Sequence, residues 1–347
     1  MIKKRPSLRG YTYNEIESLV LKWNEKKYRT KQLFDFIFNT KITSYKMFSS
    51  LPKSLLQNIQ KEFLFVSLTK ENKYISKNKK TIKYVLLTQD SHKIETVLIK
   101  SFNRNTICLS TQIGCRFGCA FCMSGRKGFV RNLDASEIVD QLYVIENDIG
   151  ERITNVVVMG MGEPFDNYDE VVRAVRICND KRGFNIGARH ITVSTVGIPE
   201  GIERFAEEDL NQVKLAISLH APTEILRSRL MPINAKYSLE TLIACIIRKR
   251  DAFKRRITLE YLLLDSVNDG IKEAEELAVI AHKIKAKINL IPYNAIDNDS
   301  GEGMTLGSSQ QENIQLFERV LKKNKVIYTV RKSGGSDISA ACGQLSC

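Results

Sequence analysis

The sequence predicts an α/β protein, a parallel sheet with helices packed outside it, preceded by a small helical unit and a β-rich connecting segment. Three observations carry that reading. From residue 155 onward, short β-branched runs alternate with helix-spaced stretches. Glycines and polar residues cluster just after the β-like runs, at the strand ends where parallel sheets gather ligands. The 347 residues, 43% of them hydrophobic, suffice for a large core with an accessory unit beside it.

In chain order, residues 13–24, 30–38 and 51–62 have helical spacing, with Tyr13-Asn14-Glu15 and Ser50-Leu51-Pro52 as helix starts. Strand-like runs follow at 81–87, 94–99 and 106–110. The alternating part then predicts strands at 155–159, 190–194, 213–218, 256–262, 287–291 and 326–330. Helices are predicted at 135–147, 167–178, 199–207, 238–250, 271–284 and 309–323. The segment 295–306 reads as a loop that could act as a lid near a ligand.

Charge is uneven along the chain. Residues 1–100 hold 21 Lys+Arg against 8 Asp+Glu, a net of +13, whereas the remaining 247 hold 32 against 31. Runs such as Lys3-Lys4-Arg5, Lys26-Lys27-Tyr28-Arg29 and Lys77-Asn78-Lys79-Lys80 are ordinary solvated faces when taken singly. Together they predict a polyanion-binding unit attached to a charge-balanced catalytic body, because neutralising phosphates gives sequence-independent, salt-sensitive affinity. The Met-Ile-Lys-Lys-Arg start lacks an apolar signal core, and no apolar run reaches the roughly eighteen residues of a membrane span. The expectation is a cytoplasmic protein without a membrane partner. Eight cysteines, several in one cluster, suit a reducing compartment better than a disulfide framework.

Cys115, Cys119 and Cys122 stand in the order C-x3-C-x2-C. A structural zinc ion takes four ligands, whereas a cubane iron–sulfur cluster held by three thiolates keeps one iron open to substrate. A zinc site completed by Cys108 is the competing reading. Gly160-Met-Gly-Glu-Pro164 follows the strand at 155–159; its glycines admit a ligand to the backbone, and Glu163 offers a carboxylate to an ammonium group. Ser194 and the Ser218-Leu219-His220 run place polar groups at the next two strand ends, and Asn294 follows a later strand. Taken alone, each has a plain alternative in a βα turn, a satisfied structural histidine or a turn asparagine. His92, His190 and His282 are read as structural, and Cys178 and Cys245 as core.

The cysteine triplet resembles the cluster loop of radical S-adenosylmethionine (SAM) enzymes. Together with Cys108, Glu95 in Ile94-Glu-Thr-Val97, Tyr28-Arg-Thr-Lys-Gln32, Gly128-Phe-Val-Arg-Asn-Leu133, Leu230-Met-Pro-Ile-Asn234 and Ala341-Cys-Gly-Gln344, the chain resembles RlmN/Cfr-type RNA methyltransferases over almost its whole length. The resemblance implies a partial (βα)6 radical-SAM barrel over 106–347, a basic helical RNA-binding unit over 1–70 and a β-rich connector over 71–105. It implies one 4Fe-4S cluster on Cys115, Cys119 and Cys122, with Phe121 against the adenine of SAM. Gly162, Glu163, Ser194, Ser218, Leu219, His220 and Asn294 would bind SAM. Ser339, where Asp is usual, and Met123-Ser-Gly125, where a small residue-Thr-Gly is usual, depart from the family pattern.

The same resemblance implies that two SAM molecules serve each turnover. One methylates Cys342; the other is cleaved reductively, and its radical removes hydrogen from the Cys342 methyl group. The sulfur-bound methylene then adds to an adenine, Glu95 takes the proton of the attacked carbon, and Cys108 resolves the protein–RNA adduct through a disulfide with Cys342. Another reading of Glu95 is a surface carboxylate on an edge strand. The implied targets are C2 of an adenosine in the peptidyl-transferase centre of 23S rRNA and of the adenosine beside the anticodon of tRNAs. Such bases must be unstacked to be reached. A flavodoxin or ferredoxin is the implied electron donor, and a monomer the implied state. A C8-methylating sibling and a non-enzymatic zinc RNA-binding module stand as alternatives. Cys347, five residues beyond Cys342, is a potential competitor for the disulfide.

Overall fold

The computed structural model describes residues 5–39, 41–294, 306–331 and 334–346. Helices α1 (Tyr13–Lys22), α2 (Tyr28–Ile37) and α3 (Lys53–Glu62) form the expected N-terminal unit. A capping box starts α1: Thr12 accepts the Glu15 N–H, and the Glu15 carboxylate accepts the Thr12 N–H. Ile16, Val20, Leu33, Phe34, Ile37, Leu55 and Ile59 recur at helical spacing and are buried together. Strands β1 (Leu68–Ile75), β2 (Thr81–Thr88), β3 (Lys93–Ser101) and β4 (Arg104–Cys108) then run as an antiparallel meander.

A cysteine-rich loop and the short helix α4 (Met123–Arg126) lie between β5 (Gln112–Gly114) and β6 (Phe129–Asn132), which pair as a two-stranded ribbon. Beyond them come α5 (Ala135–Ile149), β7 (Asn155–Val158), α6 (Tyr168–Asn179), β8 (Ile191–Thr195), α7 (Pro199–Glu207) and β9 (Lys214–Ser218). The chain continues through α8 (Glu224–Leu230), α9 (Leu239–Lys249), β10 (Thr258–Leu263), α10 (Ile271–Lys283), β11 (Lys287–Pro292), α11 (Gln311–Lys323) and β12 (Tyr328–Val330). The main sheet has the order β1-β2-β3-β4-β7-β8-β9-β10-β11-β12. From β4 to β12 every pairing is parallel, so α5, α6, α7, α9, α10 and α11 supply six crossovers. The sheet ends at β1 on one side and β12 on the other, which makes the barrel partial.

The antiparallel meander is continuous with the barrel. The expected boundary at 70/71 falls inside β1, and that at 105/106 inside β4. The helical unit is also tied to the barrel: buried Arg9 pairs with Asp140 of α5 at 3.4 Å and lies 3.4 Å from the Tyr143 ring centroid. Among the described residues, no helix is long and apolar enough to cross a membrane. Most of segment 295–306 and Cys347 lie outside the described residues.

Candidate active site

Parallel strands deliver their loops to one end of the sheet, and most of the predicted site residues line a cavity there. A cavity of about 910 Å³, counted to its open mouth, is lined by Cys115, Cys119, Cys122 and Phe121 from the cysteine loop. Gly162 and Glu163 after β7, Ser194 of β8, Ser218 and His220 at the end of β9, and Cys342 complete the predicted part of its wall. Leu219 and Asn294 are not on this wall. Leu219 is buried in the core with its N–H donated to the Glu260 carbonyl, and Asn294 bonds the Pro292 carbonyl at 3.4 Å.

Each wall residue is fixed by its local structure. Gly162 has φ +97°, and a Cβ there would lie 2.5 Å from the Gln112 side chain, so only glycine fits the turn after β7. Glu163 is buried, and its oxygens accept N–H bonds from Phe165 at 3.0 Å and Val196 at 2.8 Å, lacing the β7 loop to the β8 loop. Burial lifts its carboxyl to about 7 against the hydrogen bonds from Thr195, Val196 and Phe165, so an ammonium group nearby would suit it. His220 adopts φ +55°, and its Nδ1 accepts the Leu262 N–H at 3.0 Å. The ring proton of the neutral side chain is therefore on Nε2, where it can only donate. Burial, with Arg227 nearby, lowers its pKa to about 3, and Phe121 packs edge-on against its ring.

Burial raises the pKa of all three loop cysteines, with Cys115 at about 12. Three sulfurs so placed become thiolates only beside a compensating cation, which iron provides. Among the described residues, no three His, Cys, Asp or Glu side chains converge on a point that a single ion could fill. Cys115, Cys119 and Cys122 share one cavity wall and are one donor short of the four a structural zinc ion takes, so the donor set would suit a cluster with an open iron better than a zinc ion. Arg227, fully buried and bonded to Asn234 and to the Val196 carbonyl, adds positive charge near Cys119.

Cys342 lies on the wall of this cavity and of a smaller one beside it, of about 390 Å³, which Cys108 also lines. Burial, followed by the nearby Cys342 sulfur, pushes the Cys108 thiol up to about 12, while Arg331 acts in the opposite sense. Arg331 lines both cavities, and its pKa is raised chiefly by Cys342. The Cys342 loop is docked on α4: the Gly343 carbonyl accepts the Met123 N–H at 2.8 Å, and the Leu345 carbonyl accepts the Ser124 hydroxyl at 2.7 Å.

Glu95 lines neither cavity. The edge-strand alternative for it is overturned, because β3 sits between β2 and β4 and Glu95 is buried. Its carboxylate pairs with Lys83 at 2.9 Å and accepts the Ser346 N–H at 2.7 Å, so it touches the Cys342 loop. Lys83, Arg227, Glu260 and Arg331 carry no sequence signal of their own, although Arg331 directly follows β12. Cys178 and Cys245 are core residues as expected.

Comparison with known proteins agrees with this geometry. The Radical SAM superfamily model matches residues 109–278. A protein of Alkaliphilus metalliredigens named "Probable dual-specificity RNA methyltransferase RlmN" is 43% identical over 338 residues, 97% of this chain and 94% of that protein. One of the same name from Geobacillus kaustophilus is 40% identical over 98% of this chain and 92% of its own length. The crystal structure of a radical SAM methyltransferase from Sphaerobacter thermophilus superposes with a TM-score of 0.91 at 40% identity, covering 98% of this chain and 99% of that one. Relatives this similar over this length, around a cavity with three cysteines on its wall, place the chain in the RlmN family of radical SAM RNA methyltransferases.

Proposed function

We propose that this enzyme methylates C2 of a specific adenosine in 23S rRNA, and of the adenosine beside the anticodon in tRNAs, through Cys342. The observation that carries the proposal is the position of Cys342, which lines both the larger cavity and the smaller one that Cys108 shares. Adenine C2 is an electron-poor carbon that does not displace a methyl group from a sulfonium, so the carbon must arrive by another route. Cys115, Cys119 and Cys122 would hold the 4Fe-4S cluster, and Gly162, Glu163, Ser194, Ser218 and His220 would hold SAM. When bound, they supply a methyl group and hydrogen-atom abstraction, two SAM molecules being used per turnover.

Cys342 Sγ takes up the methyl group and later carries it as a methylene bonded to adenine C2. Glu95 removes the proton from that carbon; the bonding pair returns to the ring as the unpaired electron leaves to a one-electron acceptor. Cys108 Sγ, as thiolate, then attacks Cys342 Sγ and breaks the bond from that sulfur to the methylene. The electron pair goes to the methylene carbon, which gains a proton and becomes the methyl group. A thiol reductant must reopen the resulting disulfide before the next turnover. A flavodoxin or ferredoxin would feed the reductive step, and one chain suffices to build the site.

Nucleoside mass spectrometry of rRNA and tRNA incubated separately with enzyme, SAM and reductant tests this reading. 2-Methyladenosine is expected, and 8-methyladenosine as the sole product would overturn the C2 assignment.

A further inference from the structure

Lys83 is a charged residue in an interior position. It lies on β2, paired opposite Val97, while Glu95 on β3 pairs opposite Val85, so both side chains point to the same face of the sheet. The two side chains are 11% and 6% exposed, and Nζ lies 2.9 Å from Oε1. Burying such a pair brings little net stability, and an apolar pair of similar volume would pack there at least as well. Stability alone is therefore a weak reason for a lysine at this site.

The remaining bonds indicate what the pair does. Lys83 Nζ also donates to the Ser339 carbonyl at 3.2 Å, and the other Glu95 oxygen accepts the Ser346 N–H at 2.7 Å. Ser339 and Ser346 flank Cys342, so one ion pair grips the Cys342 loop on both sides. The Tyr74 ring, 5.5 Å from Nζ, covers the lysine from β1. On its other side the loop is held by Met123 and Ser124.

We propose that Lys83 is a positioning residue that fixes Glu95 against the loop carrying Cys342, so that the carboxylate reaches the adenine once it is joined to Cys342. The proposal rests on the adduct mechanism above. Without Lys83, the Ser346 amide is the one partner the Glu95 carboxylate keeps among the described residues, and the carboxylate can rotate away from its present position. Methyl uptake by Cys342 needs no base at Glu95 and continues, because α4 still holds the loop at the larger cavity. Removal of the adduct proton is the step that slows.

The test compares Lys83→Met and Lys83→Arg with the parent enzyme, cluster-loaded, in the presence of SAM, reductant and substrate RNA. Peptide mass spectrometry reads Cys342 methylation, and denaturing gels read covalent RNA. For Lys83→Met, methylation of Cys342 should persist while the adduct accumulates and release of methylated RNA slows by about 100-fold. Lys83→Arg should restore most of the release, since it keeps the charge and the reach. Unchanged release overturns the proposal, as does loss of Cys342 methylation in step with release. If Lys83→Met does not yield folded protein, Lys83→Gln takes its place under the same criteria. Cys108→Ala separates the two levels: an adduct in that variant with none in Lys83→Met overturns the positioning role alone, and no adduct in either overturns the adduct mechanism itself.

Discussion

At the scale of single residues, the site depends on side chains that no neighbour can replace. Cys342→Ala should abolish product formation while the iron content and visible spectrum of the cluster persist, because the cluster cysteines are on another loop. Cys108→Ala should leave RNA covalently attached, visible as a shifted band on a denaturing gel; normal release would remove Cys108 from the resolving role. Gly162→Ala forces a side chain into φ +97° and against Gln112, so SAM affinity should fall and the fold should lose about 1–3 kcal/mol, measured by ligand titration and denaturant unfolding. Sequence reading reached Gly162 through its strand-end motif, and Cys108 and Cys342 through the family resemblance. It did not reach Lys83 or Arg227, which owe their importance to groups brought near by folding: Glu95 on the next strand for Lys83, and Cys119 across the cavity loop for Arg227.

At the scale of elements, hydrophobic period revealed the long pieces and missed the short or exposed ones. The six crossover helices and the barrel strands lie within a few residues of expectation. Strand β1 escaped because only Leu68 of its eight residues is buried, which leaves a charged edge without alternation. Helix α8 is too short for the helical period to show, and β5 and β6 are too short for alternation to be read from their sequences. Beside its ladder with β2, β1 is tied to α5 by a polar staple: Asp148 of α5 accepts from Lys70 and Lys73 of β1 and from Tyr84 of β2. Burial works against its ionisation, yet these donors hold its pKa at about 2, below the ordinary 3.8. The depressed value means that the staple contributes fully above pH 3.8 and is lost as pH falls from there towards 2. Asp148→Asn should therefore cost about 1–2 kcal/mol at pH 7, allowing for solvent screening of the half-exposed lysines. In denaturant titrations the gap from the parent should stay level between pH 7 and 5 and close at lower pH.

At the scale of the whole molecule, the basic excess of the first hundred residues divides into two groups. Arg9 is buried against Asp140, Lys27 pairs with Glu17, and Lys70, Lys73 and Lys100 each meet a carboxylate, so these cations are taken up within the fold, while Lys83 is taken up by Glu95 beside the Cys342 loop. Lys77, Lys79 and Lys80 are exposed on the β1–β2 turn and form no ion pair among the described residues. The turn sits beside the Cys342 segment, where the Lys77 N–H bonds Asp337 at 2.7 Å. Charge counting could not make this distinction, which depends on which carboxylates the fold brings near. Reversing these three lysines should weaken RNA binding and flatten its salt dependence by roughly one unit of log–log slope per lost phosphate contact. SAM cleavage without RNA should be unaffected, and equal loss of both would show that the turn serves the fold.

The placement of Cys342 as a party wall between two chambers has a practical consequence. A thiol-selective alkylating reagent that reached this one atom would block both compartments together, and exposure to air could join it to Cys108 before any RNA arrives. Preparations handled without a reductant should then look inert despite full cofactor loading, and a dithiol should revive them.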